Sequence, residues 1–201
     1  LPISDLSFLS SLINLKVLYC ADVQVSNIFA ISNLMNLQLL NLSFTQIDDL
    51  SPISCLASLK DLSFSNTQVF DLSPLSGLRN LKSISCSSTR VEDFTPIMGI
   101  ESLQSIYCDS SKIYDLTSLL HLINKDIPVK WQDWSEHYNE DEENWEQRPA
   151  ILVKNCPLIC PPIEVAQESP QAVRDYFEEL GDDGRKLNEV KVIFLGEASA
   201  G

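Results

Sequence analysis

Apolar residues recur along the chain at a fixed interval of 22 residues, from near the first residue to about residue 124. Within each interval the apolar positions are spaced by three residues and then by two, as at Leu37, Leu40 and Leu42. The three columns are Leu15, Leu37, Leu59, Leu81 and Leu103, then Leu18, Leu40, Leu62, Ile84 and Ile106, then Cys20, Leu42, Phe64, Cys86 and Cys108. The alternation at the end of each unit predicts a short β-strand with one buried face.

The rest of each unit repeats with the same period. A small hydroxyl follows the strand at Thr45, Thr67, Thr89 and Ser111, where it can bond backbone groups as the chain turns. Proline recurs in the return segment and suits a first helical turn. This L-x-x-L-x-L pattern is that of a leucine-rich repeat, so we predict an α/β solenoid, a horseshoe with strands on its concave side and one-turn helical or irregular returns on its convex side.

The periodic region is predicted to cover residues 1–124, and the chain enters it in the middle of a repeat. We expect no native N-terminal cap and no signal peptide here. Residues 125–163 are predicted to form an atypical C-terminal cap, with an extra strand at 127–131, an acidic insertion, and a final degenerate repeat in AILVKNCPLICPP. Trp131, Trp134 and Trp145 are assigned mainly to this cap.

Residues 164–188 are predicted to hold a linker helix followed by a polar linker. Ser169 is the expected N-cap, Pro170 the first helical residue, and Gly181 the terminator. The apolar stripe of this helix is Val173, Tyr176, Phe177 and Leu180. Residues 189–201 contain VKVIFL, which is typical of a fully buried strand.

The composition and net charge narrow the range of possible partners and sites. A net charge of −14 argues against nucleic acid as a partner, and no stretch approaches the roughly 20 apolar residues of a membrane span. The acidic residues between Glu136 and Glu146 fit either a solvated insertion or a contact for a basic partner. Three of the six cysteines occupy a core column, and no His or Cys group has metal-ligand spacing, so we expect reduced thiols, a cytoplasmic protein and no metal site.

Strand residues that point away from the core form the candidate partner-binding face. They are mostly small and polar, which fits either a soluble face or a docking surface for a protein or another domain. The candidate contact residues are Tyr19, Asn41, Asp61, Ser63, Ser85 and Tyr107.

The buried strand near the end of the chain runs directly into GEASAG. A phosphate-binding loop is written G-x-x-x-x-G-K-[ST] and follows such a strand, and Gly196 and Gly201 match its two glycines. A chance glycine pair is the alternative explanation. The order of a 22-residue leucine-rich array, the stretch NCPLICPPIEVAQESPQAVRDYFEEL and then VKVIFLGEASAG resembles the bacterial Roco family. Those proteins place a Ras-like GTPase module, Roc, after the repeats and a dimerising module, COR, after Roc.

The resemblance implies that residues 189–201 are the first strand and a partial phosphate loop of a truncated Ras-like domain. It implies that the parent protein binds GTP and GDP with Mg²⁺, hydrolyses GTP, and forms a homodimer through COR. The loop residues that match are Gly196, Glu197, Ala198, Ser199, Ala200 and Gly201. The lysine and hydroxyl that complete the motif would follow Gly201, so residues 1–201 alone are expected to be non-catalytic and to bind no nucleotide. The acidic insertion is unusual for the family.

Two broad functions therefore remain from the sequence. The first is a regulatory, protein-interaction solenoid of a Roco-type GTPase, acting on its own Roc–COR module or on another protein. The second is a free-standing binding module similar to the internalins, whose repeats share the L-S-x-T-x-I-x-D-L phrase found at Leu42–Leu50. An enzyme active within these residues finds no support, because no nucleophile–base or carboxylate pair stands apart from the repeat columns.

Overall fold

The computed structural model of the protein describes residues 4–132 and 149–180. Seven short parallel strands form one sheet along the described chain. They are β1 (Val17–Tyr19), β2 (Leu39–Asn41), β3 (Asp61–Ser63), β4 (Ser83–Ser85), β5 (Ser105–Tyr107), β6 (Val129–Lys130) and β7 (Ile151–Leu152). From β1 to β5 each strand pairs with the next at an offset of 22 residues, so the predicted strands and their period are confirmed.

The return segments are single 3₁₀ turns, as the proline-rich pattern predicts. Their bounds are Ser7–Ser11, Phe29–Ile31, Ser51–Ile53, Ser73–Leu75, Thr95–Ile97 and Thr117–Leu119. Where a return carries proline, the proline lies in the first turn, where a missing N–H leaves no hydrogen bond unmade. An Asp or Asn two residues before the turn accepts from its first N–H, as Asp49 does from Ser51 at 2.7 Å and Asp71 from Ser73 at 2.8 Å. This column of caps repeats from Asp5 to Asp115, and the sequence analysis missed it.

The core is one continuous apolar column between the strands and the returns. The repeating leucine and isoleucine positions are almost completely buried, and Phe64 and Phe94 are the largest apolar side chains among them. The hydroxyls after the strands bond backwards as predicted, with Thr45 Oγ1 donating to the Leu42 carbonyl and Thr67 Oγ1 to that of Phe64, both at 2.7 Å. Each coil therefore buries its apolar face only against its neighbours, as in a solenoid.

The strand order at the C-terminal end differs from the order along the chain. The sheet runs β5–β7–β6, so β7 pairs with β5 and leaves β6 on the outside. Continuing the 22-residue period would place Pro128 and Lys130 in the two core columns. Proline has no N–H for the sheet and lysine is costly to bury, so β6 cannot take the sixth place. Ile151 and Val153 fit those columns and are completely buried.

The sequence therefore predicted both extra strands, and the structure adds that their order in the sheet is the reverse of their order along the chain. The β7 unit is a true repeat in its local geometry. A residue with positive φ recurs after every strand from β1 to β5, with φ between 54° and 59°. It reappears at Asn155, with φ 60°, three residues after Leu152, which matches the offset of Ser110 from Tyr107.

The described residues also form three α-helices: α1 (Leu120–Ile123) precedes β6, and α2 (Ile163–Glu168) and α3 (Pro170–Leu180) follow β7. The sequence predicted α3, and Ser169 Oγ caps it by accepting from the Ala172 N–H at 3.0 Å. It did not predict α1 or α2. Val173 of α3 is buried, and Arg174 donates to the Ile123 carbonyl at 2.7 Å and pairs with Asp126 at 2.9 Å. Helix α3 is thus held against the end of the repeats and the start of the cap by both packing and charge.

Candidate functional site

The outer sheet face is the side of β1–β5 that points away from the core. Alternate residues of a strand lie on opposite faces, so the first and third residue of each strand belong to it. Its members are Val17, Tyr19, Leu39, Asn41, Asp61, Ser63, Ser83, Ser85, Ser105 and Tyr107. The middle residue of each strand points into the core and is buried in all five strands.

The candidate contact residues differ sharply in exposure along this face. Tyr19 has 67% of its surface exposed, whereas Asn41, Asp61, Ser63 and Ser85 are half-buried. Exposure falls to 1% at Tyr107. Side chains of the outer sheet face are therefore accessible on β1 to β4, whereas the face is closed at Tyr107 of β5.

The expectation that Tyr107 is available to a partner is wrong. Tyr107 packs with Ala150 and Leu152 in a small apolar cluster separate from the main core. The cause is the insertion of β7 beside β5, which puts Leu152 in register with Tyr107 on the same face. Burial raises the pKa of the Tyr107 phenol, and a hydrogen bond with Ser105 opposes that rise.

A row of hydroxyls runs across the strand ends of this face. Ser43 Oγ lies 2.6 Å from Ser63 Oγ, and Ser65 Oγ lies 2.8 Å from Ser85 Oγ, one repeat further along in each case. The Ser87 hydroxyl donates to the Asp109 carboxylate. Most of these hydroxyls thus bond across repeats, which stabilises the stacking of coils and explains why the face is rich in serine.

Asp61 is the acidic residue on the outer sheet face of β3. Burial raises the pKa of its carboxyl, while the nearby ammonium groups of Lys82 and Lys60 oppose that rise. Among the described residues, ion pairs within 4.0 Å are formed by Glu92, Glu101 and Asp126. Asp61 forms none with a described lysine.

All six cysteines are free thiols; five of them are buried, and Cys55, in a return segment, is exposed. Cys86 and Cys108 are fully buried; burial raises the Cys86 thiol pKa, and a hydrogen bond with Cys156, together with burial, raises that of Cys108. Cys156 Sγ donates to the Cys108 carbonyl at 3.0 Å. These thiols therefore join β5 to the β7 repeat as structural groups. In residues 4–132 and 149–180, no group of His, Cys, Asp or Glu is arranged to hold a metal ion.

Several predicted features lie outside the described residues. They are the acidic stretch around 136–146, the strand at 190–195 and the phosphate-loop residues 196–201. Among the described helices none is long and apolar enough to cross a membrane.

Comparison with known proteins identifies the class of the fold. Residues 13–55 match the family model described as Leucine Rich repeats (2 copies). No curated protein matches the chain. The chain is a leucine-rich repeat solenoid, a class of domain that mediates protein interactions.

The solved structures that match include two internalins from Listeria monocytogenes str. 4b F2365. Internalin C2 is 30% identical over 60% of this chain and 54% of its own, with a TM-score of 0.59. Internalin F is 24% identical over 77% of this chain and 52% of its own, with a TM-score of 0.54. The plant peptide hormone receptor RGFR1 in complex with RGF2 is 16% identical over 76% of this chain and 22% of its own, also at 0.54. The chain thus spans about half the length of the two internalins. The matches to internalin F and to the plant receptor support the fold alone.

Proposed function

We propose that this domain binds a partner protein through the outer sheet face of β1–β4. The observation that carries the proposal is that side chains of this face stay accessible along several strands, from Val17 and Tyr19 on β1 to half-buried Leu39 and Asn41 on β2 and Asp61 on β3. The core columns behind these residues are buried, so side chains on the face can contact a partner without disturbing the core. A mixture of an aromatic, aliphatic groups and hydrogen-bonding groups suits a protein surface.

The first candidate for the parent protein is a Roco-type GTPase, with GTP or GDP and Mg²⁺ bound by its Roc module. It is supported by the sequence of residues 155–201, including the GEASAG loop. In this hypothesis the solenoid regulates the GTPase from the cytoplasm by docking on Roc–COR in one nucleotide state. Regulation of this kind requires different contacts in the two states.

The experiment is a nucleotide and assembly measurement on the full-length protein. Wild type is compared with Tyr19→Glu, and Phe70→Glu is the matched control because Phe70 is an exposed aromatic away from the sheet. The fluorescent-GDP dissociation constant and the monomer–dimer equilibrium are measured for each. We expect Tyr19→Glu to change one of them and Phe70→Glu to change neither. Unchanged values for Tyr19→Glu would contradict docking on Roc–COR through this face.

The second candidate is a free-standing binding module of the internalin type. The 30% identity to internalin C2 favours it, as does the shared repeat phrase at Leu42–Leu50. A full-length protein that binds no GDP, and that is digested by protease added to intact cells, would support this candidate. GDP binding by the full-length protein, together with a lysine directly after Gly201 whose substitution abolishes that binding, would support the Roco candidate instead.

A further inference from the structure

A column of long polar side chains stands beside the outer sheet face, just before each strand. This lysine column comprises Lys16, Gln38, Lys60, Lys82 and Gln104, one residue from each repeat. Its backbone forms a continuous ladder, in which each N–H donates to the carbonyl of the preceding member at 2.7–2.8 Å. Parallel strands lie about 4.8 Å apart, so the three lysines are stacked along the solenoid axis within roughly 15 Å.

The ammonium groups of this column form no ion pair within 4.0 Å with a described acidic residue. Lys16, Lys60 and Lys82 are exposed, and none of them belongs to an ion pair within the described chain. Lys60 Nζ donates to Gln38 Oε1 at 3.1 Å, a hydrogen bond between neighbouring members of the column. Asp61 interacts electrostatically with Lys60 and Lys82 but forms no ion pair within 4.0 Å with either of them. A cationic stripe therefore stands on a protein whose net charge is −14.

Apolar side chains adjoin the stripe at its N-terminal end. Val17 is 47% exposed and Tyr19 67% exposed on β1, and Leu39 beside them on β2 is half-buried. In the next strand the equivalent residues are Asp61 and Ser63, so the apolar patch is confined to β1 and β2. The stripe and the patch together form one surface with two chemistries.

We propose that this surface binds an acidic, extended segment of a partner protein, whose carboxylates contact Lys16, Lys60 and Lys82 and whose apolar residue packs on Val17, Tyr19 and Leu39. The inference rests on the proposed function and specifies its partner. Side chains on one face of an extended peptide recur about every 6.8 Å, a spacing that flexible lysines set about 5–10 Å apart can follow. Long polyanions such as nucleic acid fit less well, because they lack an apolar side chain for the patch and meet the overall negative charge.

The test uses residues 1–201 and a fluorescein-labelled synthetic peptide of alternating Glu and Leu. The comparison peptide has Gln in place of every Glu, and a single-stranded oligodeoxynucleotide serves as a second anionic probe. Anisotropy titrations are run at low salt and at about 0.5 M salt, where exposed charges are screened within roughly 4–5 Å. We expect the Glu peptide to bind at low salt, to weaken in high salt, and to bind better than either comparison probe.

The decisive variant is Lys16→Glu/Lys82→Glu, with Arg79→Glu/Arg90→Glu as the control that makes the same charge change away from the face. Each exposed charge contact changes affinity by up to about fivefold, so the lysine double variant should weaken the Glu peptide about tenfold or more. The arginine double variant should weaken it by less than about twofold. Equal losses for the two variants, or equal binding of the Gln peptide or the oligonucleotide, would overturn the proposal.

A third variant separates this proposal from the broader one. Tyr19→Glu leaves the lysines in place but removes the apolar anchor. If Tyr19→Glu alters the full-length protein as described above while Lys16→Glu/Lys82→Glu leaves peptide binding unchanged, the face binds a partner but that partner is not acidic. If neither variant changes any measured property, both proposals fail.

Discussion

The regular repeats and the C-terminal cap solve the same packing problem in different ways. From β1 to β5 the neighbour along the chain is also the neighbour in space, because every 22-residue unit places apolar residues in the same columns. In the cap, β7 is placed ahead of β6 because its residues fit the columns and those of β6 do not. The comparison teaches that the columns, rather than the order along the chain, decide which strand comes next. The consequence concerns the candidate site, since the insertion of β7 closes the outer sheet face at Tyr107.

Removing a core side chain from a regular repeat should have the largest effect. Phe64→Ala deletes a completely buried ring and should lower the free energy of unfolding by about 3–5 kcal/mol. Phe70→Ala is the matched control, because Phe70 is 60% exposed and its loss should change the stability by about 0.5 kcal/mol or less. Urea unfolding followed by circular dichroism measures both. Similar losses in the two variants would mean that the repeat core is not packed as described.

Shortening a buried side chain of the inserted strand β7 should lower the stability of the cap and leave that of the regular repeats largely unchanged. Ile151→Ala should cost about 2–5 kcal/mol of cap stability, and the loss should be read by hydrogen exchange rather than by global unfolding alone. The amides of Ile106 and Cys108, which donate to the Ala150 and Leu152 carbonyls at 3.0 Å, should exchange faster. The amide of Cys86, which donates to Tyr107, should keep its protection. Uniform acceleration throughout the sheet would erase the distinction between cap and repeats.

The positive-φ position offers a stabilising change within the repeats. Phe44 adopts φ 59° where its neighbours in the column are Asp22 and Asn66, residues that tolerate this conformation better. Phe44→Asn should therefore raise the free energy of unfolding by about 1 kcal/mol. Phe70→Asn, at an exposed phenylalanine outside this conformation, should give no such gain. A chemical denaturation series on the two variants is sufficient, and an equal shift in both would rule out backbone strain as the cause.

The smallest effect concerns acid. Hydrogen bonds from the Ser51 and Ser73 side chains and N–H groups lower the pKa of Asp49 and Asp71, so these carboxylates bind protons less readily folded than unfolded. Their contribution to stability is present above the unfolded pKa of about 3.9 and is lost as the pH falls through the lower folded values. Asp49→Asn/Asp71→Asn should therefore flatten the decline in melting temperature below about pH 4. An unchanged acid profile in the double variant would exclude these caps as the titrating groups.

The sequence predicted most of the solenoid because its information is local and repeated. The position of every strand from β1 to β5, the buried columns and the backward bonds of Thr45 and Thr67 follow from spacing alone. The aspartate caps and the lysine column are also present in the sequence as 22-residue periodicities, at Asp49 and Asp71 and at Lys60 and Lys82. The N-cap of α3 was predicted because Ser169 and Pro170 act on adjacent backbone.

The sequence by itself thus determined the class of fold, the register of the repeats and which strand residues turn away from the core. Only the tertiary structure decided the order β5–β7–β6, the burial of Tyr107 against Leu152, and hence the closure of the outer sheet face at β5. The physical reason is that periodicity encodes contacts between neighbouring units. Which of two candidate strands pairs with β5 depends on which one fits the core columns. Ile151 and Val153 can be buried there, whereas Pro128 lacks an N–H for the sheet and Lys130 is costly to bury.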